Sequence, residues 1–187
     1  MTTVFISGSI KIRSLNKRVK DRLNNIINQN FNIIIGDANG ADKAVQKYLL
    51  EQKYSSVTVF CSGRICRNNI GNWNTEFIFV KLGLTGRDFY TQKDKAMALK
   101  ADYGFILWDG KSSGSFNNIL ELLKNNKQAR IYYSPEKEFY PINKLRDAQR
   151  LLGKCEKSYF DIISRKIKLN SSILEIESMT QGTLKFQ

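Results

Sequence analysis

The sequence contains no histidine. That excludes every reaction scheme built on an imidazole base and every metal site with an imidazole ligand. Acid–base work falls instead to carboxylates, lysine, tyrosine, cysteine or the substrate itself. Cysteine is scarce as well. Cys61, Cys66 and Cys155 are odd in number and show no C-x-x-C spacing, which reads as three free thiols in a reducing compartment. No apolar run approaches the roughly 18 residues of a membrane-spanning helix. The opening Met-Thr-Thr-Val-Phe-Ile-Ser-Gly has no basic n-region, so it does not read as a secretory signal. Low-complexity segments are missing too, because the many Asn and Lys residues are dispersed through patterned stretches. These absences lead to the expectation of a cytoplasmic globular protein with no membrane partner, no metal and no cofactor.

At 187 residues the chain is one ordinary domain with an appendage, long enough to bury a real core. Its formal net charge of +13 points toward anionic partners. Around the first helical pattern Lys11, Arg13, Lys17, Arg18, Lys20 and Arg22 face a single acid, Asp21. That cluster is open to three readings: a solvated helix face, a nucleic-acid contact or a subunit contact.

Periodicity divides the chain into alternating strands and helices. Val4–Ile6, Ile33–Ile35, Val57–Phe60, Asp102–Trp108 and Arg130–Tyr133 are short apolar strands. Ile12, Leu15, Val19, Leu23, Ile26 and Ile27 keep helical spacing, as do Ala44, Val45, Tyr48 and Leu49. Thr91 reads as the cap of a helix running to Leu99, and residues 64–92 read as a long loop, with or without an inserted strand. Strands that are apolar throughout belong to parallel sheets covered on both faces. The fold class is therefore α/β: a Rossmann-like parallel sheet with helices on both faces over residues 1–135, plus a C-terminal α/β extension over 136–187. In that extension Leu145, Ala148, Leu151 and Leu152 mark one helix, and Tyr159, Phe160, Ile162, Ile163 and Ile167 suggest another. Ser172–Ile176 is expected to pair with Leu184–Phe186 as a hairpin.

In such sheets, ligands sit beyond the carboxyl ends of the strands. Four Gly/Ser turns would lie on that rim: Gly8-Ser9, Gly36–Asp42, Ser62–Arg64 and Asp109–Ser115. The last passes from a strand through small residues into a helix start, which gathers backbone N–H groups at the positive end of a helix dipole and suits a phosphate. In the second turn Gly36 ends the strand, Gly40 allows close backbone approach, and Asp42 suits the helix start, either as a cap or as a ligand contact. Asp37 lies in the loop proper and is a candidate for binding ribose hydroxyls.

Four stretches recur here in a familiar order: Ile6-Ser-Gly-Ser9, Gly36-Asp-Ala-Asn-Gly-Ala-Asp-Lys-Ala-Val45, Lys93-Asp-Lys-Ala-Met97 and Trp108-Asp-Gly-Lys-Ser-Ser-Gly-Ser115. Together they resemble the SLOG superfamily, which groups Lonely-guy-type nucleotide phosphoribohydrolases with the DNA-processing protein A fold, and most of all its small bacterial and phage members. The resemblance covers about residues 3–134. It implies a nucleotide-binding Rossmann-like domain in which Gly8 and Ser9 match the first loop. Gly36, Asp37, Gly40 and Asp42 match the second, and Ser113, Gly114 and Ser115 match the phosphate loop. In the hydrolase branch a P-G-G-x-G-T-x-x-E motif supplies a glutamate that acts on the ribose. Here Asn118 holds that position, Asp109-Gly110 replaces Pro-Gly, and Glu121 follows three residues later.

The expected function is nucleotide binding, with cleavage or transfer at an N-glycosidic bond as the favoured activity. Asp37, Asp109 and Glu121 are the candidate catalytic carboxylates, and Arg64 and Lys93 are candidate phosphate contacts. Nucleoside 2-deoxyribosyltransferases are similar in outline and give a second enzymatic reading. A nucleotide sensor or sequestering module, or a DNA-associated basic protein, are the non-catalytic ones. The expected partner is a nucleotide-derived small molecule; a second copy of the chain and nucleic acid are further candidates.

Overall fold

The structure is a computed structural model that describes residues 1–184, with the side chains of residues 1–179. Seven strands form one sheet in the order β4-β3-β2-β1-β5-β6-β7. These are β1 (Thr3–Gly8), β2 (Asn32–Gly36), β3 (Val57–Ser62), β4 (Asn74–Ile78), β5 (Tyr103–Trp108), β6 (Gln128–Tyr133) and β7 (Glu138–Ile142). The first six are parallel, and β7 closes the far edge antiparallel to β6. The helices are α1 (Lys17–Asn28), α2 (Ala41–Glu51), α3 (Gly86–Lys100), α4 (Ser113–Lys124), α5 (Leu145–Leu152), α6 (Lys157–Lys166) and α7 (Leu169–Leu184).

The all-apolar strands are explained by two cores. Val4, Ile6, Ile33, Ile35, Val57 and Val59 pack under α1 and α2. The alternate residues Phe5, Ile34, Phe60, Ile106 and Trp108 pack under α3 and α4. With side chains alternating across the pleat, a strand buried on both faces must be apolar at every position. The chain builds leftward from β1 and then returns to place β5 on the other side of it. Right-handed connections then put α1 and α2 on one face and α3 and α4 on the other.

Several expectations about local structure are corrected. The first helix starts at Lys17, where the Asn16 side chain accepts from the Val19 N–H (3.0 Å). Ile12 and Leu15 precede it and pack against the core from a loop, so Lys11 and Arg13 are loop residues too. The stretch 64–92 contains β4, which pairs with β3, and the first turns of α3. That helix begins at Gly86 behind Thr85, and Thr91 lies inside it with its hydroxyl on the Asp88 carbonyl. The hairpin does not form, because Ser172–Ile176 lies within α7; Lys185 and Phe186 fall outside the described residues. Leu169, Ile173 and Ile176 sit at i, i+4 and i+7 and turn toward the α4 core, so helical burial overrides the local strand-like pattern. The extension thus continues the sheet through β7 and covers α4 with helices. Cys61 and Cys66 form a disulfide and are not free thiols, while Cys155 is free. No described helix is long and apolar enough to cross a membrane.

Candidate functional site

Strand order reverses between β1 and β5, and their carboxyl ends open toward opposite faces. A crevice is left there, which is the usual ligand position in open α/β sheets. The loop after β1 and the loop after β5 meet in it. Ser9 Oγ donates to Asp109 Oδ1 (2.8 Å) and lies 3.2 Å from Ser115 Oγ. The same Asp109 oxygen accepts from the Lys111 and Ser112 N–H groups (3.0 and 2.8 Å). Ser112 caps α4 by accepting from the Ser115 N–H (3.3 Å) and hydroxyl (3.0 Å). Asp109 and three serines therefore brace one another at the mouth of α4. Above Gly114 the space is open, since a Cβ there would meet nothing nearer than Ser112 Oγ at 3.9 Å.

Below the rim lies a buried ionic cluster. Lys93 reaches up from α3 and pairs with Asp94 (2.6 Å). A Cβ on Gly36 would come 2.5 Å from Asp42 Oδ2 and 2.7 Å from Lys93 Nζ, so both charged groups converge on the end of β2. Asn118 bridges the two halves. With its amide oriented to satisfy both ends, it accepts from Ser7 Oγ (2.7 Å) and donates to Asp94 Oδ2 (3.3 Å) and the Gly114 carbonyl (3.2 Å).

Asp42 is 3 % exposed; its Oδ2 accepts from the Ala38 N–H (3.2 Å), while Oδ1 has no partner. Burial pushes its carboxyl up to about 7, against the restraining charge of Lys93 and with Asp94 and Asp37 adding to the rise. Burial lowers the proton affinity of Lys93, but Asp94 and Asp42 outweigh it and hold its ammonium above the usual range. Two neighbouring groups whose environments shift their proton affinities mark a functional-site candidate.

Asp37 stands on the flank and is 1 % exposed. Burial would raise its carboxyl, yet the hydrogen bonds from Arg67 outweigh that and hold it below the usual carboxylate range. Arg67 donates its backbone N–H (3.0 Å) and Nε (3.1 Å) to Oδ2 and one terminal nitrogen (2.6 Å) to Oδ1. Its guanidinium also stacks on Tyr90 at 4.1 Å. Asp37, Cys61 and Cys66 place ligand-type atoms within 4.8 Å of one another. The two sulfurs are bonded to each other, however, and Arg67 spans both Asp37 oxygens.

The rim gathers Gly8, Ser9, Gly36, Asp109, Ser113, Gly114 and Ser115, with Asp42 and Lys93 buried beneath it. Gly40 serves local packing: at φ 79° its Cβ position would fall 2.3 Å from the Ile10 carbonyl oxygen, so the β1–α1 loop lies directly against the start of α2. Arg64 is exposed, and it is Arg67, three residues later, that contacts Asp37 on the flank. Glu121 sits well down α4, where it pairs with Lys124 (3.3 Å), which also binds Glu175 of α7 (2.6 Å). It does not join the other candidate residues.

Arg67, Asp94 and Asn118 were missed by sequence reasoning. Asn118 carried a signal, because it follows Ser115 on the stripe that continues as Ile119 and Leu122, all buried. Lys93 likewise precedes Met97 on the buried stripe of α3. Arg67 carried none, being an arginine in an irregular loop thirty residues from its partner.

One hollow lies beside the site and another lies away from it. One of 470 Å³ adjoins the rim beside Gly40 and is walled by Arg13, Lys43 and Lys47. A larger one, of 580 Å³, lies at the opposite end of the sheet among Gln128, Asn143, Arg146 and Gln149, far from the ionic cluster. No protein-family model, no curated protein and no solved structure matches the chain.

Proposed function

We propose that the chain binds a nucleotide or nucleotide-derived phosphorylated ligand in the crevice between β1 and β5, and holds it without a dedicated catalytic glutamate. The observation that carries this reading is the crevice itself. It lies at the reversal of strand order, with open space over Gly114 at the start of α4 and the buried Asp42–Lys93 cluster as its floor. The Ser113 and Gly114 N–H groups receive the phosphate at the positive end of the helix. Arg13, Lys43 and Lys47 wall the separate hollow beside Gly40 and add positive charge to the same edge of the sheet. Asp42, able to carry or lose a proton near neutrality, lies buried beneath the crevice and sets the charge under the ligand. The resemblance to the SLOG superfamily supports the same ligand class.

Cleavage at an N-glycosidic bond is a second reading, favoured by Asp109. Of the three candidate catalytic carboxylates it alone stands in the crevice, fixed by Ser9 and two amides. Mass spectrometry after incubation with nucleoside monophosphates, deoxynucleosides and NAD separates the two. Retention of one nucleotide with no free base is the expected result. Base release that disappears in Asp109→Asn would establish the second reading, and neither retention nor release would overturn both.

A further inference from the structure

We propose that the Cys61–Cys66 disulfide is a dithiol-reducible clasp that holds Arg67 over Asp37 and so keeps that carboxylate closed off from the rim. Cys61 is fully buried at the end of β3, next to β2 and the Asp37 loop that follows it. Cys66 is partly exposed and immediately precedes Arg67. The bond therefore ties the residue before Arg67 to the sheet, at the place from which its guanidinium and its own N–H both reach Asp37.

The neighbouring anchors do not duplicate this tie. Asn68 and Ile70 are held from the other side: Asn68 donates to the Asp37 carbonyl (2.7 Å), and Ile70 donates to Gln46 Oε1 (3.0 Å). Gly63 is held by the Ile78 carbonyl (2.9 Å). Between Gly63 and Asn68, the disulfide, the Arg67–Asp37 contacts and the Arg67–Tyr90 stack carry the loop. Opening the first leaves only the contacts of Arg67 with Asp37 and Tyr90 to hold it, against the entropy of a freed segment.

The chemistry is thiol–disulfide exchange. A thiolate of an external dithiol attacks Cys66 Sγ, the accessible sulfur, and Cys61 leaves as a thiolate. The second thiol of the reductant then resolves the mixed disulfide, releasing the Cys66 thiolate. The two electrons come from the dithiol, which ends as its own disulfide. With the clasp open, Arg67 leaves Asp37 and the carboxylate faces the rim; only the consequence for a bound ligand rests on the nucleotide-binding reading.

The test needs no ligand. Thiol counting on the full-length native protein should give one reactive cysteine before dithiothreitol, Cys155, and three after it. Amide exchange followed by NMR should then show the Arg67 N–H exchanging at least about tenfold faster in the reduced protein, while Ile70 N–H changes by less than about twofold. Cys61→Ser/Cys66→Ser should match the reduced protein and be indifferent to dithiothreitol. The proposal is overturned by a disulfide that dithiothreitol leaves intact, by unchanged Arg67 protection on reduction, or by protection lost across the whole sheet. Zinc co-purifying at one equivalent with both thiols shielded would overturn it as well, because the pair would then be a metal site.

Discussion

Replacing Asp42 with asparagine is expected to remove a pH dependence from the stability of the fold. The folded-state pKa of Asp42, about 7, stands above the ordinary value of 3.8 that the unfolded chain restores. Between those values the native state binds the extra proton, so stability falls as pH rises through the window. Below it the carboxyl is neutral in both states and costs nothing; above it the full cost of a buried, half-partnered carboxylate remains. A span of about three pH units corresponds to roughly 4 kcal/mol. Lys93, held above its usual range, keeps its charge across this window and drops out of the slope. Urea unfolding of Asp42→Asn and the parent at pH 4 and pH 8 should show the variant gaining on the parent by that order. A difference that stays flat with pH would mean Asp42 is ionised in the fold at low pH, and the floor of the crevice would need another description.

Gly40→Ala should be the more damaging of two matched glycine substitutions. Gly40 adopts φ 79° and ψ −124°, a conformation open in practice only to glycine. A methyl group there would also fall within 2.4 Å of three Ile10 backbone atoms, which cannot rotate away. Backbone strain of about 1–3 kcal/mol and the displaced loop together predict a loss of roughly 3 kcal/mol. For a domain of this size that is a fall in Tm of roughly 6–12 °C. Gly83→Ala is the control. Gly83 has φ 89° with nothing within 4 Å of its Cβ position, so it isolates the conformational cost at about 1 kcal/mol. Equal losses at the two positions would show that the contact between the β1–α1 loop and α2 is not tight.

The sheet was legible because burial on both faces forces apolar strands, and Phe5 could be assigned to a strand before its facing helix was known. The rim was legible because small residues at Gly8, Gly36 and Ser112–Ser115 have few uses at strand ends. Less was visible where tertiary burial overrides local pattern. Ile173 and Ile176 look like strand residues until α4 gives them a face to pack on. Gly83 and Gly86 look like loop, yet α3 begins at Gly86. The pairings that close the flank of the site, Arg67 on Asp37 and Cys61 with Cys66, depend on how the loop after β3 folds back. No spacing in the sequence announces that return. Asn118 and Lys93 lay between these cases, as polar residues on apolar stripes whose partners only the fold supplies.

Nucleotide binding in the crevice is tested most directly by calorimetric titration of the four ribonucleoside monophosphates into the parent and Gly114→Leu. Gly114 lies in the first turn of α4 with open space at its Cβ position, so leucine fills the crevice without touching the core. Its stability should stay within about 1 kcal/mol of the parent. The parent is expected to bind at least one nucleotide, and the variant, still folded, to lose that affinity. Equal binding by both proteins would place the ligand elsewhere, and binding by neither would contradict nucleotide binding by this protein.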